Sequence, residues 1–183
     1  MRAERSKLSI PSPARSRAGF TLIEMIAVLA IVAVLAFLVA GVVTRLPGAA
    51  DRVRCTANLK SLHVAFQNYM QDNGHWPQQP RFTVAEQTKY EDWWINEMKP
   101  YGITQATWQC PGILRLGKIQ KNGKTPRVHY SPTMFDGKPE TPRKWPRMPW
   151  IVEIGSVHGH GPLCILPDGS VHDWDTYIAT LQP

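Results

Sequence analysis

The sequence predicts an α+β chain: a long N-terminal helix, its first half membrane-spanning and its second half amphipathic, packed on a small antiparallel β-sheet. Three observations predict it. Met25 through Thr44 is a run of 20 residues without a charge. Between Cys55 and Tyr69 the apolar residues return every three or four positions, the period of a helix with one buried stripe. Near the C-terminus, Leu163–Leu166 and Ser170–Trp174 flank Pro167-Asp168-Gly169, and Asp-Gly between two short strands signals a tight hairpin turn.

Taken in order, residues 1–19 form a basic leader. Arg2, Arg5, Lys7, Arg15 and Arg17 stand there against Glu4 alone. Without these five bases and one acid, the formal net charge of +7 falls to +3. Most of the basic character is therefore topological and holds the N-terminus in the cytoplasm, so the pI near 9.5 is weak support for nucleic-acid binding. Residues 20–46 form the membrane helix, since 20 helical residues span about 30 Å, the thickness of the hydrocarbon core. Glu24 lies just inside it, where a carboxylate is unfavourable and calls for a function. Gly41 and Pro47-Gly48 predict a kink or loosened turn. A secretory signal fits worse, because the apolar run exceeds the usual h-region and Leu38-Val39-Ala40 is a poor cleavage site. No Cys follows Gly41, which argues against a lipoprotein signal.

Residues 49–183 are the globular domain. Its helix buries Cys55, Leu59, Leu62, Ala65, Phe66 and Tyr69, leaves Arg54, Asn58, Lys60, Ser61, Gln67, Asn68 and Asp72 outside, and stops at Asn73-Gly74 before Pro77. A second amphipathic helix spans Val84–Lys99, with Tyr90, Trp94 and Met98 on one face. Residues 107–111 and 127–131 are strand candidates. Between them Lys118, Lys121, Lys124 and Arg127 mark an exposed turn. Proline-rich Pro139–Pro149 reads as an extended surface loop. Seven Trp are many for this size, so some are expected on the surface or at subunit contacts.

Three cysteines allow three pairings and leave one thiol over. Cys55–Cys110 is the favoured bridge, because Cys55 faces inward on the helix stripe and Cys110 enters the sheet that covers it. Cys164 then serves as a small buried apolar residue. His158, His160 and His172 with Asp168 and Asp173 are the one group with metal-ligand character. No third close ligand is fixed by spacing, so no metal or other cofactor is expected. There is no G-x-S-x-G and no H-E-x-x-H, and Cys110 is a nucleophile only if a histidine lies near it in space. A non-enzymatic protein is expected.

The basic leader, the Gly19-Phe20 junction, Thr21-Leu22-Ile23-Glu24 and the apolar helix together resemble the class III signal of type IV prepilins and pseudopilins. That resemblance implies a pilin-like fold, cleavage between Gly19 and Phe20 by a prepilin peptidase, N-methylation of Phe20, and an assembly role for Glu24, the family's acidic fifth residue. Cys55–Pro77 (CTANLKSLHVAFQNYMQDNGHWP) is similar to the C-x-x-N-L-K … Y-x-x-x-x-G-x-x-P segment of pseudopilin-like proteins of the Planctomycetes–Verrucomicrobia type. Trp93–Tyr101, Gln109-Cys110-Pro111, Tyr130–Met134 and Trp150–Glu153 fit the same pattern more loosely. His158, nine residues, then Asp168-Gly169 matches their H-x9-D-G signature.

The resemblance implies a structural subunit of a type II secretion or type IV pilus-like fibre. It would be held in the inner membrane by one span, with its C-terminal domain periplasmic. Its partners would be prepilin peptidase, other pseudopilin subunits, the inner-membrane assembly platform and membrane lipid. The calcium-holding D-P-W-G segment of major pseudopilins is absent, and calcium is not carried over. Two other readings are a DNA- or substrate-binding minor pilin, if 118–127 and the proline-rich loop make one basic face, and a membrane-anchored metal-binding domain or enzyme.

Overall fold

The computed structural model describes residues 20–43, 46–117, 125–159 and 161–181; side chains within 39–47 lie outside the description. The chain divides into two units between Val43 and Thr44. In the first, α1 runs from Leu22 to Val43, 22 residues with Glu24 the one acid of its first turn. It is apolar on every side, and its large side chains from Leu22 to Leu38 are all at least half exposed. Among the described residues no helix is long and apolar enough to cross a membrane, the described side chains of α1 stopping at Leu38.

The second unit is α+β, built on α2 (Leu46–Asn73, 28 residues). Pro47 falls in its first turn, where a missing N–H costs nothing because that donor has no partner within the helix. Further along, Cys55, Leu59, Leu62, Ala65, Phe66 and Tyr69 are buried, and His63 and Met70 widen the stripe. Arg54, Lys60, Ser61, Asn68 and Asp72 are exposed, while Asn58 and Gln67 are half-buried. The stripe is covered by a four-stranded antiparallel sheet in the order β1 (Tyr130–Pro132), β2 (Ile151–Glu153), β3 (Leu163–Ile165) and β4 (Val171–Asp173).

Successive strand residues point to opposite faces, so Ile151, Leu163 and Ile165 join the α2 core. Val152 and Cys164, paired with each other, face the other way. That second face is capped by Tyr177, Trp174 and Ile178 of α6 (Trp174–Ala179), an element without a strong sequence signal. The same period places Glu153 on the α2 face, two residues after Ile151.

Aromatic rings fill the space between helix and sheet. Trp76, Trp94, Trp108 and Trp150 are all fully buried. Phe66 lies 4.7 Å from Trp76 and 5.6 Å from Trp94 between centroids. Two indoles satisfy their N–H inside, Trp94 on Gln79 Oε1 at 2.7 Å and Trp150 on the Pro142 carbonyl at 2.8 Å. Trp145 is the exposed member, at 54%.

Several local expectations change. Residues 107–111 form no strand. Pro111 opens α4 (Pro111–Leu116) with Cys110 extended at its N-cap, because proline's fixed φ suits a helix start better than a ladder that needs its N–H. Cys110 therefore enters a helix cap and not the sheet. The strand expected at 127–131 is confined to Tyr130–Pro132, where it pairs with β2. The proline-rich loop contains a helical turn, α5 (Thr141–Lys144), again with proline in its first positions. The helix expected at Val84–Lys99 is α3 (Gln87–Met98) with a 3-10 turn at each end, Val84–Glu86 and Lys99–Tyr101. Most of the basic turn, 118–124, lies outside the described residues.

Because Leu59 sits at the centre of the stripe, Leu59→Ala should cost about 2–5 kcal/mol in urea unfolding followed by tryptophan fluorescence. Exposed Trp145→Ala should stay near or below about 0.5 kcal/mol. Equal losses would mean that the stripe is not the core.

Candidate functional site

The start of α1 is held by its own side chains. Thr21 is the residue before the helix, and its N–H and hydroxyl both donate to Glu24 Oε2 at 2.8 Å. The Glu24 N–H returns a bond to Thr21 Oγ1 at 3.3 Å. This is a capping box, Thr-x-x-Glu, which satisfies two backbone donors reciprocally. The spacing was visible in the sequence and gives Glu24 a local role. Phe20, just before it, is 80% exposed; Gly19 lies outside the described residues.

A buried polar cluster occupies the second unit. Cys55 on α2 and Cys110 at the cap of α4 are joined, with Cα atoms 5.2 Å apart. Asn58, one turn beyond Cys55, donates its amide to the Gln109 carbonyl at 3.0 Å and so holds the strand of chain leading into Cys110. The Cys110 N–H donates to His129 Nδ1 at 2.9 Å, and His129 Nε2–H donates to the Pro126 carbonyl at 2.7 Å. Those two bonds fix His129 as the neutral Nε2–H tautomer, and burial lowers its pKa.

His158, from the loop between β2 and β3, brings Nε2 to 3.4 Å from Cys110 Sγ and 3.3 Å from Glu153 Oε1. The other Glu153 oxygen accepts the Leu163 N–H at 3.1 Å. Both side chains are closed to solvent, His158 1% and Glu153 0% exposed. Gly112 permits the approach: a Cβ there would stand 3.1 Å from Val157 Cγ2 and 3.4 Å from His158 Cε1. A histidine thus does lie beside Cys110, but the sulfur is bonded and buried, so no nucleophile is presented. The sequence offered little warning of Glu153 beyond its place two residues after an inward-facing isoleucine.

The H-x9-D-G signature does not converge on one point. Asp168-Gly169 makes the β3–β4 turn, where Asp168 Oδ1 accepts the Ser170 hydroxyl at 2.6 Å and N–H at 2.9 Å. These bonds hold the Asp168 carboxyl below its usual pKa. Gly169 is left-handed, φ +81°, and its open face lies against His63, where a Cβ would meet Cε1 at 3.2 Å. His63 donates Nε2–H to the Pro167 carbonyl at 3.0 Å and lies 4.8 Å from the Trp150 ring. Burial lowers its pKa.

The histidine group read from the sequence is therefore dispersed. His172 meets Ser170 Oγ at 2.9 Å, and Asp173 pairs with both guanidinium nitrogens of Arg52. His160 lies outside the described residues. Cys164 is buried and forms no disulfide, and burial pushes its thiol up to about 11. Arg127 is engaged by Glu91 at 3.2 Å and Asp92 at 2.8 Å.

Residues 14–40 match the prokaryotic N-terminal methylation motif. The match takes in the Gly19-Phe20 junction, Glu24 and most of α1, and it agrees with the prepilin-type signal read from the sequence. It stops before Cys55 and does not extend to the H-x9-D-G segment. No curated protein and no solved structure matches the chain.

Two measurements test the geometry around His63. Gly169→Ala should destabilise by about 1–2 kcal/mol in urea, the cost of a Cβ in left-handed backbone. Because the folded His63 pKa lies below its unfolded value of about 6.5, the unfolded chain binds the proton first, and stability should fall as pH drops from about 7 to 5. His63→Gln keeps a donor for Pro167 but does not titrate, so its melting midpoint should fall less over that interval. Parallel profiles would exclude His63 as a source of the slope.

Proposed function

We propose that the chain is a pseudopilin, a structural subunit of a type II secretion or type IV pilus-like fibre. The observation that carries this reading is the methylation motif, which runs through the Gly19-Phe20 junction and into an apolar helix that begins at a Thr21–Glu24 capping box. Prepilin peptidase removes residues 1–19 and methylates the amine of Phe20. Residues 20–46 anchor the subunit in the inner membrane, with the N-terminus cytoplasmic and residues 49–183 periplasmic. The subunit then passes through the assembly platform into a fibre with other pseudopilins, and it performs no catalysis.

Glu24 acts twice in this scheme. Its carboxylate caps α1, and its charge meets the methylated Phe20 amine of the neighbouring subunit, which sets the axial step. An unpaired charge in that environment is costly, so pairing drives register as well as attraction. The reading as a DNA-binding minor pilin gains nothing from Arg127, whose guanidinium is already committed to Glu91 and Asp92.

Coexpression with an active prepilin peptidase should yield a chain shortened by residues 1–19 and carrying one methyl group on Phe20, read by intact and peptide mass. An uncut N-terminus, or a cut beyond residue 38, would sink the assignment. Glu24→Gln should still be cut, since glutamine also closes a capping box. Its recovery in sheared fibres should drop tenfold or more, the factor that about 1.4 kcal/mol commands. Wild-type recovery would remove charge pairing from the account.

A further inference from the structure

Four ligand atoms of the kinds that hold zinc meet in the interior beside α2. They are Sγ of Cys55 and of Cys110, Nε2 of His158 and a carboxylate oxygen of Glu153, all within 4.8 Å of one another. Metal–ligand bonds of about 2.0–2.3 Å in a tetrahedron give ligand–ligand edges of roughly 3.3–3.8 Å. Two such edges already exist, 3.4 Å from Cys110 Sγ to His158 Nε2 and 3.3 Å from His158 Nε2 to Glu153 Oε1. The edge between the sulfurs does not, because they are bonded. We propose that, once this bond is reduced, Cys55, Cys110, His158 and Glu153 hold a divalent cation of zinc type, so that the cluster closes either by disulfide or by metal.

The donor set selects the ion. Two thiolates and an imidazole suit a borderline-soft cation and disfavour calcium or magnesium, which take oxygen ligands. Four protein ligands leave no open position, and both His158 and Glu153 are sealed from solvent, so the ion is structural and not catalytic. Supporting bonds orient the ligands: Asn58 on Gln109 and His129 on the Cys110 N–H steady one thiol's backbone, and the Leu163 N–H steadies Glu153. All hydrogen-bonding contact of the His158 ring is made by Nε2, Nδ1 having no partner among the described residues. The disulfide ties α2 to α4 alone; the metal adds β2 and the β2–β3 loop.

The chemistry balances in two steps. A phosphine reductant and one water convert the disulfide to two thiols, the phosphine leaving as its oxide. The cation then displaces the two thiol protons, which go to solvent.

The test uses the full chain in detergent, oxygen excluded, with cobalt(II) as the probe. As the disulfide, the chain should bind no cobalt at this site. After phosphine reduction it should take up one ion, with a thiolate-to-cobalt charge-transfer band and the intense visible bands of tetrahedral cobalt, displaced by zinc. His158→Ala and Glu153→Gln, which leave the disulfide able to form and so can be checked for folding while oxidised, should weaken binding by about tenfold or more. Cys164→Ser should bind like wild type. Failure of the reduced wild type to give tetrahedral bands would overturn the proposal. So would unchanged affinity in both His158→Ala and Glu153→Gln.

Discussion

The second unit depends on one constraint: the apolar stripe of α2 has to be covered along its length. Cys55, Leu59, Leu62, Phe66 and Tyr69 present a strip that no other described helix of this unit is long enough to hide, and the small sheet covers it together with α3 and α4. Strands of three residues are short for a sheet to stand alone. They hold because β3 is buried on both faces, Leu163 and Ile165 under α2 and Cys164 under α6. Aromatic rings fill the gaps that such short strands leave, which explains why so many tryptophans lie inside.

The same constraint explains where the polar groups went. Period-two alternation that brings Ile151 to α2 also brings Glu153 there, and a carboxylate in that position must find donors. The Leu163 N–H supplies one, and His158 the other contact. The loop that carries His158 packs close over Gly112, where a Cβ would stand 3.1 Å from Val157 Cγ2. Eight residues beyond Cys55 on α2, His63 anchors the β3–β4 turn through Pro167, and Gly169 leaves room for its ring. The two ends of the H-x9-D-G signature therefore serve different turns of one helix, His158 beside Cys55 and Asp168-Gly169 against His63.

Much of this was legible in the sequence. The α2 stripe, the hairpin around Asp168-Gly169, the amphipathic helix about Trp94 and the N-terminal signal all rest on local periodicity or short motifs, and local patterns survive folding. What was not legible depends on contacts distant in sequence. Cys110-Pro111 read as a strand because its neighbours are apolar, while proline's geometry made it a helix start. His158 was noticed, but with His160 and His172 as companions. Its actual neighbours come from other elements. Cys110 lies 48 residues away in sequence and Glu153 five residues back at the end of β2, a spacing that no helix or strand period singles out. The Thr21–Glu24 capping box is the opposite case, a local pattern present in the sequence and eclipsed by the larger question of why an acid stands at the start of an apolar helix.

In the proposed reading, α1 is the part of the chain that its own fold leaves uncovered, its side chains exposed from Leu22 to Leu38. A bilayer covers it first, and neighbouring subunits cover it next. The most direct measurement is helical reconstruction by electron cryo-microscopy of fibres sheared from the envelope. The account predicts fibres built from the processed chain, with α1 packed in the fibre core and Glu24 within ion-pair distance of a neighbour's Phe20 amine. A processed chain that stays wholly in the membrane fraction, or a fibre in which Glu24 faces no neighbouring amine, would contradict it.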